Sequence, residues 1–158
     1  MEKIYSVKEN QNLIDTNLWA GGDYDNSLNN ISCQQDNQKV IISKEWSVVG
    51  ETSFKIKRGG GTGYNWCRFT YLTNNSKQTI TATFKIYSPN AEADIWLTEI
   101  YNGSEGPHTS VHIYPSKEVQ TISLTFTGTF TNIIAYSLRV NLLQDDTCLF
   151  IDDIQFSN

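Results

Sequence analysis

The feature that most limits what this chain can fold into is a two-residue alternation of apolar and polar side chains, repeated in run after run. Successive side chains of a strand point to opposite faces, so each such run buries one face and wets the other. Residues 79–87 are the clearest case: Ile80, Ala82, Phe84 and Ile86 alternate with Thr81, Thr83, Lys85 and Tyr87. Residues 64–72, 94–101, 110–114, 119–127, 132–143 and 147–156 follow the same rule, and shorter runs at 39–43 and 53–57 precede them. Asn, Ser, Gly and Pro punctuate the gaps, and no long helical period intervenes. The pattern predicts an all-β jelly-roll sandwich of two antiparallel sheets.

At 158 residues this is one domain, and 39% hydrophobic and 12% aromatic residues are enough for a core without disulfides or metal. Residues 1–9 read as an N-terminal extension or linker and 10–158 as a single module. Residues 10–37 are polar and loop-like apart from Leu13-Ile14 and Leu18-Trp19. No stretch approaches the length of a membrane span, so membrane insertion is not expected. The formal charge of −5, with no basic run, argues against a nucleic-acid partner. The opening MEKIYSVKEN lacks the apolar core of a signal peptide, and the expectation is a domain of a longer secreted protein. Cys33, Cys67 and Cys148 allow three single-bridge pairings and always leave one thiol over. Cys67, on an inward face, reads as a small buried hydrophobe.

The alternation also says which side chains face water. Cys67, Phe69 and Tyr71 inward put Tyr64, Trp66, Arg68 and Thr70 outward; the run at 94–101 is ambiguous, and Ile95 and Leu97 inward would put Trp96 and Thr98 outward. Val111 and Ile113 inward leave His112 and Tyr114 outside, and the inward set Ile134, Tyr136, Leu138, Val140 and Leu142 stands opposite Ser137, Arg139 and Asn141. An outward ring ordinarily supports a cross-strand neighbour. Here several rings stand among hydrogen-bonding groups, a mixture that suits a sugar, whose C–H face stacks and whose rim of hydroxyls bonds. Trp66, Tyr64 and Trp96 are the candidate stacking residues, and Arg68, Glu99, His112 and Tyr114 complete the candidate carbohydrate-binding set.

Catalytic signatures are missing. There is no Gly-x-Ser-x-Gly and no His-Glu-x-x-His, and the acids fall mainly in loops. The glycines at 59–63 lack the Lys-Ser/Thr of a phosphate loop, and His108 with His112 lacks further zinc ligands. Asp152-Asp153, inside a closing apolar run, is different. Adjacent strand residues face opposite ways, so one carboxylate must find a cation, an Arg or Lys, or backbone amides. Calcium, with carbonyls from residues 11–15, fits the first option; bonding to amides is the alternative.

Taken in order, Asn12-Leu13-Ile14, Trp19, Gly50-Glu51-Thr52-Ser53-Phe54-Lys55-Ile56, Trp66-Cys67-Arg68-Phe69, the run from Gln78 to Tyr87 and Phe150-Ile151-Asp152-Asp153-Ile154 resemble the galactose-binding-like β-sandwich carbohydrate-binding modules (families four, nine, twenty-two and relatives). The resemblance spans roughly residues 10–156. It implies a non-catalytic, monomeric jelly roll that binds a polysaccharide or other glycan as one module of a larger extracellular or surface protein. It also implies a structural calcium held by Asp152. Members commonly carry a Phe-Glu pair after the N-terminal Asn-Leu; here residues 15–20 contain no Glu, so Asp15 or Glu51 would have to substitute. The alternative function on the same fold is a structural or adhesive spacer that binds protein rather than glycan.

Overall fold

The computed structural model describes residues 31–33, 37–60, 66–72, 79–101, 104–129 and 135–157. They form ten strands and no helix: β1 (Ile31–Cys33), β2 (Gln38–Ser43), β3 (Ser53–Arg58), β4 (Cys67–Leu72), β5 (Thr79–Tyr87), β6 (Ala93–Tyr101), β7 (Ser104–Ile113), β8 (Gln120–Thr127), β9 (Ala135–Leu142) and β10 (Thr147–Ser157). Two antiparallel five-stranded sheets result, in the orders β1-β4-β9-β6-β7 and β2-β3-β10-β5-β8. This is the two-sheet all-β sandwich that the alternation predicts.

The apolar half of each alternating run fills the space between the sheets. Ile80, Ala82, Phe84 and Ile86 of β5 are fully buried, as are Tyr136, Leu138, Val140 and Leu142 of β9. Phe54 meets Phe69 at 5.4 Å edge to face, and Tyr71 meets Phe156 at 5.7 Å, each pair joining the two sheets. Gln38 crosses the same space: its amide donates to the Val140 carbonyl at 2.9 Å and accepts from the Leu142 amide at 3.2 Å. A buried amide bonded on both sides ties β2 to β9 without leaving an unmet polar group.

Three differences from the sequence reading have physical causes. Within 10–37, read as loop, β1 pairs with the edge of β4, and Cys33 lies opposite Cys67. The two are joined by a disulfide, so Cys67 is buried as half of a bridge rather than as a free thiol, and Cys148 is the thiol left over. The run expected at 110–114 begins at Ser104, although Gly106 and Pro107 look like a turn. β7 is an edge strand, where Pro costs no ladder bond. Finally, the β2–β3 connection, residues 44–52, folds back over the outer face of its own sheet. Trp46 stacks on Tyr87 at 5.6 Å and reaches Phe150 at 6.1 Å, while Glu45 pairs with Lys55 at 2.8 Å.

Asp152 lies under that strap. It pairs with Lys85 across the strands and is 1% exposed. Its Oδ2 accepts from the amides of Val48 (2.7 Å) and Val49 (3.0 Å), and its Oδ1 from that of Asp153 (2.8 Å). Burial pushes this carboxyl above the usual range while the three amides pull against it. Asp153 adopts φ 53°, and the register with β5 shifts between Asp152 and Gln155, marking a bulge.

Candidate functional site

The outward positions of β4, β9, β6 and β7 fall into rows set by the registers. Arg68 is opposite Arg139, which is opposite Trp96, which is opposite Ser110. The next row runs Thr70, Ser137, Thr98, His108, and on the other side Asn141, Asp94 and His112 line up. Opposed arginines would repel, and their guanidiniums are reconciled by the groups around them. Arg68 lies over the Trp66 ring at 4.3 Å, and Arg139 lies 5.3 Å from Trp66 and 4.6 Å from Trp96. Each such contact is worth about 0.5–2 kcal/mol, more where water is excluded. Glu105 neutralises both: it accepts from Arg139 Nη1 and sits 3.1 Å from Arg68 Nη2.

Glu105 reaches this face because of a β-bulge. From Thr98 to Ile100 β6 advances two residues, while their partners His108 and Glu105 are three apart. The extra residue in β7 puts an even-numbered and an odd-numbered side chain on one face, which strict alternation forbids. His108 then stacks on Trp96 with centroids 3.9 Å apart and planes 4° from parallel. Arg139 and His108 come from the strands on either side of β6, so the Trp96 indole is flanked and offers solvent its edge. The sequence expects a free indole face; the structure builds a composite of guanidinium, indole and imidazole.

The face is left chemically open. Arg139, Asn141 and Ser137 are buried although they point away from the core. Among the described residues Arg68 Nε, Glu105 Oε2 and Ser137 Oγ are buried without a hydrogen-bond partner, the 3.1 Å contact of Glu105 Oε2 with Arg68 Nη2 being an ion pair without hydrogen-bond alignment. Buried polar atoms are normally satisfied, so three unsatisfied ones on one face set it apart from the rest of the surface.

His112 stands at the end of this face between two carboxylates. Its Nε2 is 2.5 Å from Glu92 and its Nδ1 2.6 Å from Asp94. Those hydrogen bonds, to Glu92 first, hold the imidazolium above its ordinary range, and the same contact holds Glu92 below the usual carboxylate range. Tyr114 meets His112 edge to face at 4.6 Å and is 66% exposed.

Of the expected site residues, the structure gathers Trp66, Arg68, Trp96 and His112 on one face with Tyr114 at its margin. Glu99 departs from that set. It lies opposite Tyr136, on the core side of β6, fully buried, and its carboxylate is spent on the amide and hydroxyl of Thr129. Tyr64 and Asp15 lie outside the described residues, and Glu51 is exposed on the strap. Arg139, Glu105 and His108 went unread as site residues. Arg139 was legible from its parity; His108 shares the parity of Ser110 and His112 and needed only the strand to extend past 110, and Glu105 alone required knowledge of the bulge. At Asp152 the partners described are N–H groups, which suit an anion and not a calcium ion. Among the described residues no three His, Cys, Asp or Glu side chains gather to hold a metal.

No protein-family profile matches the chain, and no curated protein matches it. Solved structures do. The enzymatically active domain of tailspike protein 4 from bacteriophage CBA120 superposes with TM-score 0.71 at 10% identity, over 92% of this chain. The chain spans only about a fifth (21%) of that protein. The CBM22-1 xylan-binding domain from Paenibacillus barcinonensis matches with TM-score 0.61 at 11% identity, covering 95% of this chain and 96% of that one. The module TmCBM61, solved with β-1,4-galactotriose, matches with TM-score 0.63 at 14% identity over 92% and 97%. The chain thus has the β-sandwich fold of the carbohydrate-binding modules that its motifs resemble.

Proposed function

We propose that the outer face of the β1-β4-β9-β6-β7 sheet binds a polysaccharide, without cleaving it, as one module of a larger extracellular protein. The observation that carries this reading is the combination of rings, guanidiniums and a carboxylate with three buried polar atoms left unpartnered. Sugar hydroxyls both donate and accept, so a saccharide that draws the Arg68 and Glu105 side chains outward could satisfy Arg68 Nε and Glu105 Oε2, while Ser137, with no exposed surface, stays out of its reach. Ring edges and the exposed His108 supply apolar contact. The fold is shared with a xylan-binding domain and with a module solved in complex with β-1,4-galactotriose, which supports the ligand class. The Cys33–Cys67 disulfide supports an oxidising, extracellular setting.

How the described acids of this face are engaged supports binding without cleavage. Glycoside hydrolysis needs two carboxyl groups with different protonation, one of them free to hand over a proton. Glu105 is clamped by two arginines, and both nitrogens of His112 are occupied by Glu92 and Asp94. A panel of plant and microbial polysaccharides in affinity electrophoresis tests the reading, with Trp96→Ala and His108→Ala as variants. Retardation of the parent by at least one neutral polysaccharide, weakened about tenfold or more in both variants, is expected. No retardation by any polysaccharide, beside recovery of a protein partner, would establish the adhesive spacer instead.

For Asp152 the amide-bonded carboxylate is the reading this geometry favours, and the calcium implied by the resemblance is decided by chelation. A melting temperature that rises with calcium and falls with chelator would put an ion there.

A further inference from the structure

On the opposite sheet, at the β2–β3 end, Lys39 stands directly across from Lys57, and both point outward because Val40 and Ile56 point into the core. Like charges placed opposite one another on a sheet destabilise it, so the pair carries a cost. The chain's other described cations beside it are neutralised: Lys55 is held by Glu45 at 2.8 Å and Arg58 by Asp145 at 3.2 Å. Lys39 and Lys57 have no ion pair or hydrogen bond among the described residues; Lys57 acts on Glu45 only through space. With Asn37, Ile41, Gly59 and Gly60 the two lysines line a cavity of about 320 Å³. Asn37 Oδ1 is buried there without a partner, while the Asn37 carbonyl is fixed by the Gly59 amide at 2.7 Å. Ile41, 40% exposed, is the apolar wall.

We propose that this cavity is a second saccharide site, specific for an acidic sugar. A carboxylate or sulfate lies between the Lys39 and Lys57 ammonium groups, a ring hydroxyl bonds the Asn37 side-chain amide, and the C–H face of the sugar rests on Ile41. An anion relieves the repulsion between two ammonium groups that have no partner among the described residues. A hydroxyl serves Asn37 whichever way its amide is turned. The site lies on a different sheet from the face described above and stands independently of it.

The test is calorimetric titration at low salt with a galacturonate trimer, a sulfated galactose oligosaccharide, a neutral galactose trimer and inorganic sulfate, using the parent, Lys39→Gln/Lys57→Gln, Asn37→Ala and His108→Ala. At least one of the two acidic sugars should bind the parent, the preferred one identifying carboxylate or sulfate as the group held. The double lysine variant should weaken that binding about tenfold or more, and Asn37→Ala by a smaller factor. Binding should survive His108→Ala, whose exposed side chain lies on the other sheet, and added salt should weaken it. The proposal is overturned if neither acidic sugar binds, or if the lysine variant binds as the parent does. It is overturned equally if inorganic sulfate binds as tightly as the sugars, which leaves an anion site only, or if His108→Ala abolishes acidic-sugar binding.

Discussion

Two solvent-side regions of the sandwich obey the same alternation and end up chemically opposite. On β5 and β8 the outward residues are mostly Thr and Ser, and they satisfy each other: Thr79 with Thr127 and Thr81 with Thr125, each at 2.9 Å. On β4, β9, β6 and β7 the outward residues are Arg, Trp, His, Asn and Ser, buried in part and not fully bonded. The first surface is closed by its own hydrogen bonds and needs only water. The second concentrates two guanidiniums, two indoles and an imidazole around one carboxylate, an arrangement that costs desolvation and is kept although a threonine ladder would serve the fold as well. Binary patterning decides which side of a strand is wet; the side chains standing there decide whether that side is finished.

The comparison breaks most readily at Arg139. It is 5% exposed, spans both indoles and pairs with Glu105. Arg139→Met keeps the length and removes the charge, leaving Glu105 with one arginine and the indoles without their plate. Loss of one member of a buried ion pair costs about 3–5 kcal/mol. Urea denaturation should show a loss of that order together with loss of neutral-polysaccharide retardation. A variant as stable as the parent would mean that the guanidinium is no more than another surface group, and the contrast between the faces would fall.

How far this was legible from the sequence follows from the same contrast. Strands β5, β6, β8, β9 and β10 could be read within three residues of their ends, because Ile80 to Ile86 or Tyr136 to Leu142 leave no other face to bury. Arg68, Trp66 and Trp96 were legible for the same reason. Glu105 was not, because a bulge changes parity without a sequence mark, and His108 was not, because the Gly-Pro before it reads as a turn that ends the strand. Glu99 misled in the opposite direction: a carboxylate at a core-side position is tolerated only because Thr129 returns two hydrogen bonds from a distant connection. The strap over Asp152 was invisible, since nothing local to residues 44–52 says what it will cover.

Asp152 is the next largest expected effect, and it sharpens the comparison by showing a buried polar group that is satisfied. Asp152→Asn leaves one oxygen to accept but turns an N–H₂ toward amides of the strap or of Asp153. A loss of about 1–3 kcal/mol is expected from the unmet donors. Hydrogen exchange should show the Val48 and Val49 amides deprotected. Unchanged protection would mean that the strap is held by its other contacts, Trp46 on Tyr87 and Glu45 with Lys55, rather than by Asp152.

The His112 cluster should act through pH rather than through total stability. Its folded pKa is raised, so its contribution is fully present below the unfolded value of about 6.5 and is lost as pH rises through the folded value. Glu92 is shifted down, so its part is present above about 4.5 and is lost as pH falls through its folded value. Melting temperature against pH should therefore slope downward as pH rises above about 6.5, and His112→Gln should flatten that slope. Equal slopes in both proteins would show the imidazole to be unprotonated between its two carboxylates.

The smallest effect is expected on the closed surface. Thr81 and Thr125 bond only each other through their hydroxyls, and Thr125 is exposed. Replacing both with Val removes donor and acceptor together, keeps the β-branched shape and orphans nothing, so the change should stay within about 0.5 kcal/mol. Replacing Thr81 alone leaves the Thr125 hydroxyl to water, which costs as little at an exposed position. Single and double variants should thus unfold alike and retain all polysaccharide retardation. A double variant that loses retardation would place ligand on the β5–β8 surface, and the difference between a finished face and an open one would no longer separate scaffold from site.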